Sequence, residues 1–359
     1  MNQKKEIVGL QFLRGICAIG VVIDHAAGMA SLDKYFGKAF FNGYLTFGAI
    51  GVDVFFVISG YIITISSLSP NKILPEISKQ DFFKKRFLRI VPLMWISIIT
   101  YAGLRFFGSD SQVEIQSYVN AIFLIPYGDV DPNQIWTLRH EALFYILFAV
   151  SFLGQRKMQF IVFSWFLSPF IYYGYNVFSH NIVVKQTVPA ILFDPVNIEF
   201  AFGFFLGVWS LKNPDFAQMK IPIHPMTVLL ILTVLVFAVG GLSAGNMDRL
   251  YAKMITGVIA TGVVALAVCL QCPSGNWTLI GELLGSASYS IYLFHAHFES
   301  AMLSVLAKMA HWLPISIVIA GVSIGATMLS IGVYFFLEKP LISLMKTLFL
   351  PSRQTDNSP

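Results

Sequence analysis

Arg14 and His25 both lie in the apolar segment GLQFLRGICAIGVVIDHAAGMA, which otherwise has the character of a membrane helix. Such side chains are expensive in hydrocarbon, so each is a functional candidate by default. At 3.6 residues per turn their spacing brings both side chains within ~20° of one helix face, about 16 Å apart along the axis. A cation near one end and a titratable imidazole deeper in suit an anionic ligand lying along the helix, with the imidazole as general base toward a hydroxyl. Asp24 stands beside the histidine but points about 100° away from it. The plainer reading of His25 is a buried ring bonded to a neighbouring helix.

Other segments add candidates. In KKRFLR, residues 84–89, Arg86 and Arg89 share a helical face, with Lys85 alongside. Paired guanidiniums there can grip phosphates in bidentate fashion, and the alternative is a topology anchor or lipid headgroup contact. WTLRHEALFY, residues 136–145, opens with the belt-type aromatic Trp136 and carries Arg139, His140 and Glu141 in succession. Glu141 is the deepest carboxylate candidate, with a structural ion pair as its alternative. GVDVFFVISGYII places Asp53 at the mouth of a span and Ser59-Gly60 inside it, where small residues permit close helix packing. SASYSIYLFHAHF contributes Tyr289, Ser290, His295 and His297. His295 lies roughly 240° round the helix from Tyr289, so the two should face different neighbours. Glu338 in LEKP reads as a helix-end ion pair. Cys17, Cys269 and Cys272 suggest neither a disulfide framework nor a metal site.

The elements that must hold these residues are membrane helices. Of 359 residues 56% are hydrophobic and 12% charged, against roughly 25% charged in soluble domains, and the mean hydropathy is +0.70. Runs long enough to span a bilayer fall at about 8–29, 48–66, 88–107, 136–153, 158–178, 194–211, 225–242, 250–270, 284–307 and 313–337. The expected fold is therefore an all-α polytopic membrane protein of about ten transmembrane helices, a single integral-membrane domain over 1–359 with a short polar tail at 351–359. Lys and Arg concentrate in the loops that are inside when both termini are cytoplasmic, which sets that orientation. The boundary between 107 and 136 is soft, because AIFLIPY also reads as a re-entrant piece. A cleavable signal peptide is disfavoured, since charged residues bracket the short apolar core ICAIGVVI. The net charge of +5 is the ordinary positive-inside bias and implies no nucleic-acid partner.

FLRGICAIGVVIDH, GVDVFFVISGYI, FFKKRFLRIVPLMW, IWTLRHEALFYILF, SYSIYLFHAHF and FLEKP, in this order, resemble the membrane acyltransferase-3 family of multi-span bacterial acyltransferases that modify cell-surface glycans. The segments around GVDVFFVISG, FLRIVPLMW and the WTL-x-x-E-x-x-FY pattern look most like its exopolysaccharide acyltransferases. The resemblance implies that Arg14 and His25 are the first-helix cation and catalytic histidine, assisted by Glu141 or Asp24. It implies that Arg86 and Arg89, with Lys85, bind an acyl-CoA donor, and that Asp53, Trp136, Tyr289, Ser290 and His295 belong to an acceptor or structural site. The implied reaction moves an acyl group, commonly acetyl, from cytoplasmic acetyl-CoA to a hydroxyl of a polysaccharide or lipid-linked sugar. It takes place in the bacterial inner membrane, amid membrane lipid, with no permanently bound cofactor. WTLRHE departs from the family's pattern at Arg139 and His140, whose roles the resemblance leaves open, and no fused periplasmic domain is expected. The rival reading is a secondary transporter using Arg14, His25, Asp53 and Glu141 as a proton or anion relay; it predicts inverted repeats, and the sequence has no such symmetry.

Overall fold

The structure is a computed structural model that describes residues 7–38, 47–70, 74–107, 114–153, 158–179, 186–219, 249–270 and 276–349. The span expected at 225–242, Cys272 and the tail at 351–359 lie outside the described residues. Every other expected span coincides with a helix. The long helices are α1 (Val8–Ala30), α2 (Phe47–Ser67), α3 (Lys79–Phe107), α5 (Trp136–Phe152), α6 (Gln159–Phe178), α8 (Asn197–Lys212), α10 (Arg249–Cys269), α11 (Asn276–Met309) and α12 (Ile315–Val333). Short helices α4 (Ile115–Ile122), α7 (Val188–Leu192) and α9 (Pro214–Gln218) lie between them, and α13 (Lys339–Phe349) follows α12 through a π-helical turn, Tyr334–Glu338. Among the described residues seven helical segments are long and apolar enough to cross a membrane. The long helices α6 and α11 are not among these seven; α6 is interrupted by Pro169 and a Tyr-rich end, and α11 carries Glu282, His295, His297 and Glu299. Leu68 and Pro75 form an isolated antiparallel bridge.

Helix ends differ from the hydropathy boundaries for a physical reason: apolarity marks where lipid begins, whereas a helix continues as long as its backbone bonds are satisfied. Thus α3 starts at Lys79, ahead of the basic run, with Ser78 as its cap. Ser78 Oγ accepts from the Asp81 amide at 3.1 Å and donates to its carboxylate at 2.9 Å. The last helix likewise runs through the π turn to Phe349. Glu338 is therefore buried inside a continuous helical run and not at a helix end; it accepts a hydrogen bond from Ser290 at 2.5 Å and lies within electrostatic reach of Arg89 and Arg14. The AIFLIPY segment forms the end of α4 and a turn, with Leu124 at a positive φ of 51°.

Packing follows the small residues. Helix α1 packs chiefly on α11 and α2, and α2 on α8. At the α2–α8 crossing Gly60 faces the Phe200 carbonyl and Gly203 faces the Val57 carbonyl so closely that a Cβ on either would overlap the opposing backbone. Beside this crossing Phe144 stacks on Phe200 with ring centroids 4.7 Å apart, and Phe148, Phe152, Phe166 and Phe204 extend the aromatic core. Large apolar side chains such as Phe106, Phe160, Leu167 and Ile171 cover the outside, as a lipid-facing surface requires.

Candidate functional site

Asp53 does not sit at an open mouth. It is buried and ion-paired to Lys253 of α10, whose ammonium also lies 3.6 Å from Glu199 of α8. Thr256 donates to the same Glu199 oxygen at 3.4 Å. These residues tie α2, α8 and α10 together through a buried ion-pair cluster.

Arg14, Arg86 and Arg89 converge. All three line a cavity of about 120 Å³ together with Ser59, Glu141, Tyr145, Tyr289 and Tyr292. Arg86 donates to Ser66 Oγ at 3.3 Å, and its guanidinium lies 5.7 Å from the centre of the Phe82 ring and 5.8 Å from that of Tyr145. Arg14 donates to Gln11 Oε1 at 3.3 Å. Lys85 is exposed on α3 and does not contribute to the lining. Glu141 accepts from Ser59 at 3.0 Å and from the Tyr145 hydroxyl. It therefore serves the cavity, and its hydrogen bonds run to hydroxyls instead of to the His25 ring. Tyr289, also on this wall, donates to the Ile90 carbonyl of α3 at 2.8 Å.

His25 lies beyond that lining, half-buried near the far end of α1. Its Nδ1 is 3.1 Å from Nε2 of His295, and the rings meet edge-on with centroids 4.8 Å apart. His295 and Tyr289 indeed face different neighbours, α1 and α3. Tyr292 links the two regions, because it lines the cavity while its ring centroid lies 6.2 Å from that of His295. One turn beyond His295, Glu299 is fully buried, and neither of its carboxylate oxygens has a hydrogen-bond partner among the described residues. His25, His295 and Glu299 present one ligand-type atom each within 4.8 Å of one another. Asp24 is half-buried on α1 and within electrostatic reach of Glu299. Glu299 escaped the sequence reading although the signal was present: a carboxylate four residues after a histidine shares its helix face, and an acid in a span is a candidate in its own right.

The residues left open in WTLRHE have structural partners. Arg139 donates to the carbonyls of Gly128 at 2.7 Å, Tyr127 at 3.2 Å and Asp129 at 3.2 Å, clasping the loop after α4. His140 Nδ1 pairs with Asn197 Oδ1 at 2.9 Å, joining α5 to α8. Trp136 packs edge-on against Phe56 and His140 and lines a second cavity, of about 560 Å³, with Asp129, Tyr172, Tyr173, Asp194 and Arg249. Helix α5 is thus a partition, Thr137 and Glu141 facing the first cavity and Trp136 and His140 the second. His297, on the α3 side of α11, bonds the Ser97 carbonyl at 2.9 Å and Thr100 at 3.2 Å.

Comparison with known proteins adds independent support. Residues 7–336 match the acyltransferase-3 family model, described as an acyltransferase domain. The exopolysaccharide production protein ExoZ of Rhizobium meliloti is 28% identical over 316 residues, covering 83% of this chain and 91% of ExoZ. The O-acetyltransferase OatA of Staphylococcus aureus is 25% identical over 375 residues, covering 95% of this chain and 58% of OatA, so the chain spans little more than half of that relative's length. No solved structure matches the chain. The match over nearly the whole chain makes the protein an acyltransferase of the acyltransferase-3 family.

Proposed function

We propose that this acyltransferase moves an acetyl group from cytoplasmic acetyl-CoA to a hydroxyl of an exported polysaccharide or a lipid-linked sugar. The observation that carries the reading is the convergence of Arg14, Arg86 and Arg89 on one cavity whose Tyr292 wall abuts the partner of His25. The guanidiniums of Arg86 and Arg89 match the phosphates of a CoA nucleotide. The pantetheine arm passes Arg14 and brings the thioester toward His25. His25 takes the proton of the acceptor hydroxyl, the oxygen attacks the thioester carbonyl, the carbon–sulfur bond breaks, and the imidazolium returns the proton to the CoA thiolate. The acceptor class is suggested by ExoZ, named for exopolysaccharide production, and by OatA, named as an O-acetyltransferase.

The accompanying topology has ten spans with both termini cytoplasmic, in the bacterial inner membrane, supported by the Lys and Arg distribution. The basic start of α3 then meets the donor from inside, and His25 lies toward the acceptor side. Family membership displaces the transporter alternative.

The test pairs chemistry with product. Membranes containing the protein, given acetyl-CoA and surface glycans, should release CoA thiol, and mass spectrometry should find the acetylated sugar. His25→Ala, inserted at normal levels, should abolish both; wild-type acetylation by that variant would remove His25 from the mechanism.

A further inference from the structure

The imidazole pair at the end of α1 has a defined direction. His295 Nδ1 lies 3.1 Å from the Ile291 carbonyl oxygen, one turn back on α11. A carbonyl only accepts, so this nitrogen carries the ring proton of neutral His295 and leaves the lone pair on Nε2. That lone pair faces His25 Nδ1 at 3.1 Å, and the contact is a hydrogen bond only if His25 Nδ1 donates. The lone pair of His25 is then on Nε2, the nitrogen turned away from His295.

We propose that His295 is a positioning residue which fixes the tautomer and ring orientation of His25, with Glu299 as the buried counter-charge for the imidazolium formed during transfer. The proposal rests on His25 being the base. It uses the logic by which a group behind a catalytic histidine holds the reactive nitrogen toward substrate. Glu299 suits the second role because it is fully buried, its oxygens have no hydrogen-bond partner among the described residues, and it belongs to the same 4.8 Å group as both imidazoles. A carboxylate without a partner in such a place is costly until a positive charge arrives beside it. The balance is simple: the acceptor's proton goes to His25 Nε2, His25 Nδ1–H stays bonded to His295, and the Nε2 proton leaves with the CoA thiol.

The same three residues form a donor set for a divalent metal. A metal would have to replace the hydrogen bond between the rings, which is why we favour the positioning role.

The experiment uses the full chain in lipid nanodiscs, assayed by CoA thiol release with acetyl-CoA and surface glycan. His295→Ala should lower kcat by ~10²–10⁴-fold with the acetyl-CoA KM unchanged, the range expected for a misdirected base. His295→Gln, whose amide oxygen can accept from His25 Nδ1, should recover at least about tenfold of that loss, as an amide partner does in Cys-His-Asn sites. Glu299→Gln should lower kcat alone. In ¹⁵N spectra of histidine-labelled protein, His25 should be protonated at Nδ1, and His295→Ala should shift it toward the Nε2–H form. The proposal is overturned if His295→Ala keeps kcat within about threefold of wild type, if Gln restores nothing while KM rises with the fall in kcat, or if purified protein carries one divalent metal per chain that Glu299→Gln loses. If His25→Ala is itself active, the base reading fails and the positioning role with it; if His25→Ala is dead and His295→Ala active, only the positioning role fails.

Discussion

Two of the buried polar clusters that join helices among the described residues are built on opposite terms. At Asp53, Lys253 and Glu199 an ammonium lies between carboxylates from two other helices, and a threonine hydroxyl adds a hydrogen bond. One Glu199 oxygen is left over among the described residues, yet its neighbour stays within 3.6 Å of the cation. At His25, His295 and Glu299 the carboxylate has no hydrogen-bond partner at either oxygen among the described residues, and the histidine on α1 remains half-open. The first cluster holds its counter-charge already; the second is arranged for a charge that comes and goes. Burial alone does not separate a clamp from a reactive centre, but the state of satisfaction does.

The sharpest break of this comparison is His25→Ala, expected to reduce acetyl transfer by ~10²–10⁴-fold while leaving the unfolding temperature in detergent near wild type. Next comes Lys253→Ala, which strands Asp53 and Glu199 and should destabilise the fold by about 3–5 kcal/mol, seen as lower thermal unfolding and poor yield. If Lys253→Ala were stable and inactive, the two clusters would exchange roles. A smaller effect is expected of Arg86→Ala with Arg89→Ala: the acetyl-CoA KM should rise by roughly ten- to a hundredfold, as lost charge-assisted phosphate contacts would dictate, with kcat retained. Unchanged donor affinity would return that pair to topology anchoring. Smallest is Arg139→Lys, which keeps the charge but cannot reach three carbonyls with one fork; a cost of about 1–3 kcal/mol, with acetyl-CoA KM unaltered, is expected from thermal unfolding.

Much of the fold was legible because long apolar runs fold as helices, and each described run is helical where the sequence places it, seven of the segments being long and apolar enough to cross a membrane. The ends were not, since α3 and the last helix continue into polar surroundings on backbone bonds that composition does not register. In the site, Arg14, Arg86, Arg89 and Glu141 were visible as charges in improbable places, and the cavity unites them. What could not be read was pairing. Asp53 looked like a site residue because its partner Lys253 is two hundred positions away, and no local rule links them. Arg139 and His140 looked anomalous for the same reason, their partners lying in a loop and on α8. Glu299 was readable as a face-mate of His295, yet its significance depends on α1 arriving beside it.

Helix α1 runs unbroken from Val8 to Ala30, with no proline or π turn between Arg14 and His25. It is in effect a ruler, rigid because its hydrogen-bond ladder has no joint, and it sets the length of any molecule that engages both residues at about 16 Å. A ruler of this kind measures angle as well as length. One alanine inserted between the two residues would lengthen it by only ~1.5 Å but turn His25 about 100° away from α11. A donor could still reach across, and the imidazole would be facing the wrong helix when it arrived.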